Sequence, residues 1–158
     1  MKLPKVTFDN WSPWADRDRL ACRGSPGVYL LAFDMSPNED VLVTDERIIY
    51  IGQTCASLQQ RWRQFQRAAS GAEGGHSGGE SFRERCNGRS LAELYLAPWA
   101  PPMNPGALRD AYIKFVERQL ILDWVIEHDR LPRCNTSRGL WYLVWRNPAG
   151  PRVAVRSA

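Results

Sequence analysis

The sequence predicts an α+β fold, with a small central antiparallel or mixed β-sheet flanked by helices. Three observations point there. Two short runs rich in β-branched and aromatic residues, Val28-Tyr29-Leu30-Leu31-Ala32-Phe33 and Ile48-Ile49-Tyr50-Ile51, lie close together across turn-forming residues. Two longer segments carry helical periodicity. The elements interleave as β, β, α, β, α, β, so strands and helices share one domain.

The first two dozen residues, with Trp11-Ser12-Pro13-Trp14, read as an irregular lead-in. Ser25-Pro26-Gly27 then breaks the chain before the first strand. Met35 to Asp40, with Pro37 and Asn38, is a loop, and Val41-Leu42-Val43 extends out of it. The second strand ends at Gly52, so the pair forms an antiparallel hairpin with a long connection. Ser57 is a good N-cap. Behind it Leu58, Trp62, Phe65 and Ala69 recur at helical spacing, the stripe of an amphipathic helix. Ser70 to Ser81 holds five glycines and no apolar anchor, and reads as a flexible loop, mobile without a ligand. Leu91 to Trp99 is a third strand. Asn104-Pro105 starts a long helix from about Ala107 to about His128, which Leu131-Pro132 ends. Leu140 to Trp145 is an extra C-terminal strand, with a loose tail after Pro148.

The 158 residues suit a single domain, with a core over about 25–136, the lead-in 1–24 and a C-terminal extension 137–158. Neither a membrane-length apolar run nor a secretory h-region is present, so the expected compartment is the cytoplasm. Cys22, Cys55, Cys86 and Cys134 are scattered, without a C-x-x-C pair, and His76 and His128 are not spaced with them as zinc ligands. Reduced, unpaired thiols are expected. The net charge is +4, and 18 of the 21 basic residues are Arg. Arg grips phosphate bidentately, although high-GC coding enriches Arg too. Within residues 58–90 the six arginines Arg61, Arg63, Arg67, Arg83, Arg85 and Arg89 face three glutamates, Glu73, Glu80 and Glu84. Most of the net charge therefore sits in one fifth of the chain, as a nucleic-acid footprint would. No Gly-rich nucleotide fingerprint joins a strand to a helix.

Several residues stand out chemically. Glu117 has Ile113, Leu120, Ile121 and Trp124 at −4, +3, +4 and +7, in the middle of the apolar helix face, while Lys114 and Arg118 are expected to point elsewhere. A carboxylate there is either paired with an Arg or bound to a metal, since a lone buried charge costs several kcal/mol. Arg61 lies between Leu58 and Phe65 and borders the buried face. It is either a snorkelling core-edge residue or a phosphate ligand. Arg63, two positions on, points away. His76 stands among Gly74, Gly75, Gly78 and Gly79 and is either a solvated linker residue or free to approach a phosphate.

Gly27-Val28-Tyr29 opens one strand and Tyr50-Ile51-Gly52 closes the next. These tripeptides, the stretch Tyr50-Ile51-Gly52-Gln53-Thr54 running into Ser57-Leu58-Gln59-Gln60-Arg61, the glutamate Glu117 before Leu120-Ile121, and Pro132-Arg133-Cys134-Asn135 occur in one order. Together, over about residues 25–136, they resemble the GIY-YIG endonuclease family. The resemblance implies phosphodiester hydrolysis in DNA with one Mg²⁺ or Mn²⁺ ion on Glu117 and Arg61 against the transition-state phosphate. It implies that Tyr29 helps activate the attacking water, that Tyr50 hydrogen-bonds near it, and that Asn135 braces the site, while Gly27 and Gly52 permit close backbone approach. Four residues after the Arg many relatives carry Tyr or His. This chain has Phe65, so either that role is dispensable or His76 supplies it. Arg63, Arg67, Arg83, Arg85 and Arg89 would bind DNA, with the last three and His76 closing over the substrate. Specificity would come from loops such as 70–90 or from a partner, either a targeting protein or a second copy in a homodimer. The rival reading is a non-catalytic DNA-binding or protein-interaction module on the same fold.

Overall fold

The computed structural model describes residues 3–72 and 75–136. The expected strand at Leu140 to Trp145 lies outside the described residues. Four antiparallel strands form one sheet in the order β1-β4-β2-β3: β1 is Ser12–Pro13, β2 Gly27–Phe33, β3 Ile48–Thr54 and β4 Leu94–Trp99. The helices are α1 Leu58–Ala69, α2 Ser77–Arg85 and α3 Ala107–His128. The fold class is thus α+β, with helices on both sides of an antiparallel sheet.

All seven residues of β2 are buried. A central strand covered on both faces needs no polar alternation, which is why its sequence is a continuous apolar run. One face of the sheet packs Val28, Leu30, Ile51 and Ala97 against Ile113, Val116, Leu120 and Trp124 of α3. The other packs Tyr29, Leu31, Tyr50 and Leu96 against Leu58, Trp62 and Phe65 of α1 and Phe82 of α2. Each such side chain removed from water contributes about 1.5–3 kcal/mol. The register slips between Leu31 and Ala32: Leu31 pairs with Tyr50 but Ala32 with Ile48. The extra residue, Ile49, is a bulge that puts Ile49 and Tyr50 on the same face, with α1 and α2.

Several expectations change. The lead-in is not irregular: Trp14–Arg19 and Ala21–Gly24 are 3-10 turns, and Ser12 and Pro13 pair with β4. Trp11 and Trp14, buried on opposite faces of the sheet, anchor it. Residues 41–43 form no strand; Val41 and Val43 rest on the α3-side core while Leu42 is exposed. Leu91–Glu93 is a 3-10 turn, so the strand begins only at Leu94. The Ser90 hydroxyl and the Glu93 carboxylate cap that turn reciprocally. The largest correction is the glycine-rich loop, most of whose second half is α2. Low propensity is overridden because two glycines allow close packing: a Cβ on Gly78 would stand 2.4 Å from the Tyr50 ring, and one on Gly79 2.5 Å from the Phe65 carbonyl oxygen. Among the described residues no helix is long and apolar enough to cross a membrane.

Candidate active site

Tyr29 and Tyr50 enter the layer beneath α1 and α2 from adjacent strands, with ring centroids 5.8 Å apart. Gly52 pairs directly with Tyr29 across the sheet. A Cβ there would lie 2.4 Å from the Tyr50 ring and 2.9 Å from that of Tyr29, so the absence of a side chain makes room for both phenols. Gly27 serves the sheet instead, since a Cβ on it would strike the Trp99 carbonyl oxygen at 2.2 Å.

His76 is buried, contrary to its reading as a loop residue. It is the N-cap of α2: the backbone N–H of Gly79 donates to its Nδ1 at 3.2 Å. Its Nε2 lies 3.2 Å from the Tyr29 hydroxyl. With Nδ1 occupied as an acceptor, the neutral ring carries its proton on Nε2 and donates it to Tyr29. The Tyr29 ring lies against that of Tyr50, and the His76 ring packs on Tyr50 with centroids 5.7 Å apart. A directed chain therefore runs from the α2 backbone through His76 to Tyr29, which packs on Tyr50. Burial, with the Arg61 charge adding to it, pushes the His76 pKa down to about 3, so the ring is neutral at physiological pH. Burial raises the Tyr29 pKa well above its ordinary value and that of Tyr50 to about 12.

The cleft lies beyond the edge strand β3, where the two helical layers meet. A cavity of about 210 Å³ is lined by Tyr50, Gln53, Arg61, Glu117, Arg118 and Asn135, among others. Tyr29 does not line it. The phenol facing the cleft is Tyr50, and Tyr29 stands behind it. Ser57 caps α1 by accepting from the Gln60 N–H, and Leu58, Trp62, Phe65 and Ala68 bury the helix's inner stripe. Arg61 is thereby held at the rim. One of its terminal nitrogens donates to Gln64 at 3.2 Å, but its buried Nε–H has no acceptor among the described residues. A guanidinium N–H buried without a partner costs roughly 1–3 kcal/mol and suits an incoming anion.

Glu117 projects from α3 with its side chain 13% exposed. Burial raises its pKa, against the pull of Arg118 and then Arg61. Its ion pair is with Arg118, whose Nε stands 3.6 Å away. Lys114 also flanks the cleft, in a neighbouring cavity of about 410 Å³ shared with Gln53, Gln60 and Arg61. Neither Lys114 nor Arg118 points elsewhere as the helical wheel suggested, because long side chains reach around a helix to a charged groove. On the other side a cavity of about 550 Å³, with Ser77, Arg85 and Arg133, shares Asn135 and Thr136 with the central one. The three form a continuous trough.

Asn135 closes the free edge of β3. Its Oδ1 accepts from the Ile51 N–H at 2.9 Å and its Nδ2 donates to the Ile51 carbonyl at 2.8 Å, while the Cys134 N–H donates to the Ile49 carbonyl at 2.7 Å. The amide is satisfied by backbone and acts as a brace.

Of the five arginines expected to bind DNA, Arg85 lines the trough and the other four do not. Arg63 is 62% exposed and faces Asp18 at 3.8 Å; Arg67 is exposed in the last turn of α1. Arg83 donates to the Ala68 carbonyl and Arg85 to that of Arg133, fastening α2 to its neighbours. Arg89 bonds Asp34 and Glu93 and stacks on Phe33 at 4.0 Å. It is a structural clamp here and, like the buried His76, does not form part of a mobile flap. Gln53, Lys114, Arg118, Arg133 and Thr136 line the trough unforeseen. Gln53 follows directly on Tyr50-Ile51-Gly52 at the strand end, which could have marked it.

No protein-family model, curated protein or solved structure matches this chain. The functional reading rests on the site.

Among the described residues no three His, Cys, Asp or Glu side chains come together as a metal-binding group. A closed protein cage for a metal is therefore not formed by them. A single carboxylate, Glu117, at the edge of the central cavity would suit a hard ion, Mg²⁺ or Mn²⁺, that completes its sphere with water and substrate oxygens.

Proposed function

We propose that the chain is a metal-dependent endonuclease of the GIY-YIG type, hydrolysing phosphodiester bonds in DNA. The observation that carries the reading is convergence: Tyr50 from β3, Arg61 from α1, Glu117 from α3 and Asn135 from the segment after α3 line one cleft. These are the residues that the motif resemblance marks. A divalent ion on Glu117 would supply positive charge to the oxygen that leaves.

The chain's own groups account for the remaining steps. Arg61 binds the non-bridging oxygens through its unpartnered Nε–H as negative charge gathers on them. Tyr50, un-ionised at neutral pH, orients the attacking water in line with the P–O bond that breaks. His76 and Tyr29 lock the orientation of Tyr50 from behind, which gives His76 a positioning role across the space where relatives carry a polar side chain on the Arg helix. Asn135 holds β3 in place.

Purified protein should linearise or nick plasmid DNA with Mg²⁺ and leave it intact with EDTA. Glu117→Gln should abolish cutting while leaving the folded structure and DNA binding in place. Retention of full cleavage in EDTA would remove the metal from the mechanism. DNA binding without cutting under any divalent ion would favour a non-catalytic module.

A further inference from the structure

Cys86 and Cys134, 48 positions apart, meet in the folded chain with their sulfurs 3.6 Å from one another. Both residues are buried, whereas Cys22 and Cys55 are partly exposed. Each sits on a well-held backbone. Cys86 is the C-cap of α2, its N–H bonded to the Phe82 carbonyl, and Cys134 is tied to β3 through Ile49. The surroundings are cationic: Arg133 and Arg89 act on Cys86, and Arg133 and Arg85 on Cys134.

A disulfide has its sulfurs about 2.05 Å apart. Bond formation needs an approach of about 1.5 Å between two sulfurs already in contact. We propose that Cys86 and Cys134 form a reversible dithiol–disulfide site whose oxidant is a hydroperoxide. Cys86 is the attacking thiol. The hydrogen bond from Cys134 and the guanidiniums of Arg133 and Arg89 lower its pKa, while the shared hydrogen bond and burial raise that of Cys134. The Cys86 thiolate attacks one peroxide oxygen, the O–O bond breaks, and the hydroxide released takes up a proton as water. Cys86 is left as a sulfenic acid. The Cys134 sulfur then attacks the Cys86 sulfur, the S–O bond breaks, and a second water leaves with the Cys134 proton. Two thiols and one hydrogen peroxide become one disulfide and two waters. Two thiols of an external reductant reverse the step by exchange. Peroxide is small enough to enter through local opening of the last turn of α2, a nine-residue helix followed by exposed Asn87 and Gly88.

The bond would staple α2 to the segment that edges β3. His76 caps the other end of α2, and Asn135 follows Cys134. Oxidation therefore joins the two supports behind the cleft.

The test is by mass, so it stands or falls separately from any DNA cleavage. The full chain is treated with stoichiometric hydrogen peroxide at neutral pH, and free thiols are then alkylated. The expected product is about 2 Da lighter before alkylation, yields a Cys86–Cys134 cross-linked peptide with Cys22 and Cys55 alkylated, and reverts in dithiothreitol. Its Tm should rise by about 5–15 °C, because the link closes a long loop in the unfolded chain. In urea the selectivity for this pair should disappear. Cys134→Ser should leave Cys86 as a sulfenic acid that dimedone captures. A cross-link through Cys22 or Cys55, the same pairing in urea as in buffer, or dimedone capture at Cys22 or Cys55 but not at Cys86 would each overturn the proposal; since the cross-link is read on the wild-type chain, misfolding of the variant does not protect it.

Discussion

The two faces of the sheet are filled by different chemistry. Against α3 lie Val28, Leu30, Ala32, Ile51, Ala97 and tryptophans, groups whose packing depends on volume. Against α1 and α2 lie Tyr29, Tyr50 and His76, three polar groups inside a core of Trp62, Phe65 and Phe82. Polar atoms at that depth need partners of the right donor sense, and the chain Gly79, His76, Tyr29 supplies them. The α3 layer meets the site only at its rim, through Glu117 and its neighbours. The layer that holds chemistry should therefore respond to the loss of single atoms, and the layer that holds shape to the loss of volume.

The largest expected effect tests the rim of the polar layer. Arg61→Ala should lower the cleavage rate by about 10³-fold, ~4 kcal/mol in the barrier. Arg63→Ala, two residues on and exposed, should leave the rate within a few-fold and reduce the salt dependence of DNA binding. Steady-state cleavage of a defined duplex, with binding titrated at several salt concentrations, separates the two. The reverse result would mean that the wrong face of α1 has been assigned to the cleft.

Next comes the shape layer. Ile113→Ala, fully buried against the sheet, should cost about 2–5 kcal/mol in urea unfolding yet leave the proposed cleavage rate of the folded protein unchanged. Tyr50→Phe should do the opposite, lowering the rate by about 10–100-fold with a small change in stability. Tyr29→Phe should affect the rate less than Tyr50→Phe, since its hydroxyl acts from behind. If Ile113→Ala slows cleavage by the folded protein as much as Tyr50→Phe does, the division between the layers fails.

The smallest effect is a pH dependence. The unfolded chain binds a proton on His76 near pH 6.5, but the folded chain does so only near 3. Stability from this group is thus complete above pH 6.5 and falls as pH drops toward 3, by about 2 kcal/mol between pH 7 and 5. His76→Gln should flatten that part of the profile, as read by urea unfolding at each pH. A slope unchanged in the variant would mean that another group carries it.

Motif order marks Tyr50, Arg61, Glu117 and Asn135, and the folded chain lines one cleft with all four. The strands β2 and β3, α1 and α3 were legible from local periodicity, because burial of one face imposes a spacing on the apolar residues. α2 was not legible. Its helical state depends on Gly78 fitting against the Tyr50 ring and on His76 capping from a position buried by other segments, and neither contact leaves a trace in the local sequence. The lead-in was misread for the same reason: Trp11 and Trp14 are anchored by strands that come later in the chain.

The sequence by itself determined the α+β class and the main strands and helices, because these follow from periodicity and composition over a few turns of chain; the roles of Arg61 and Glu117 are what the motif resemblance implies. Only the tertiary structure decided which tyrosine faces the cleft, that His76 supports it from inside the core, and that Cys86 lies against Cys134. The physical reason is separation along the chain. Tyr29 and His76 are 47 positions apart and the two cysteines 48, and such contacts are set by how the two helical layers close around the sheet.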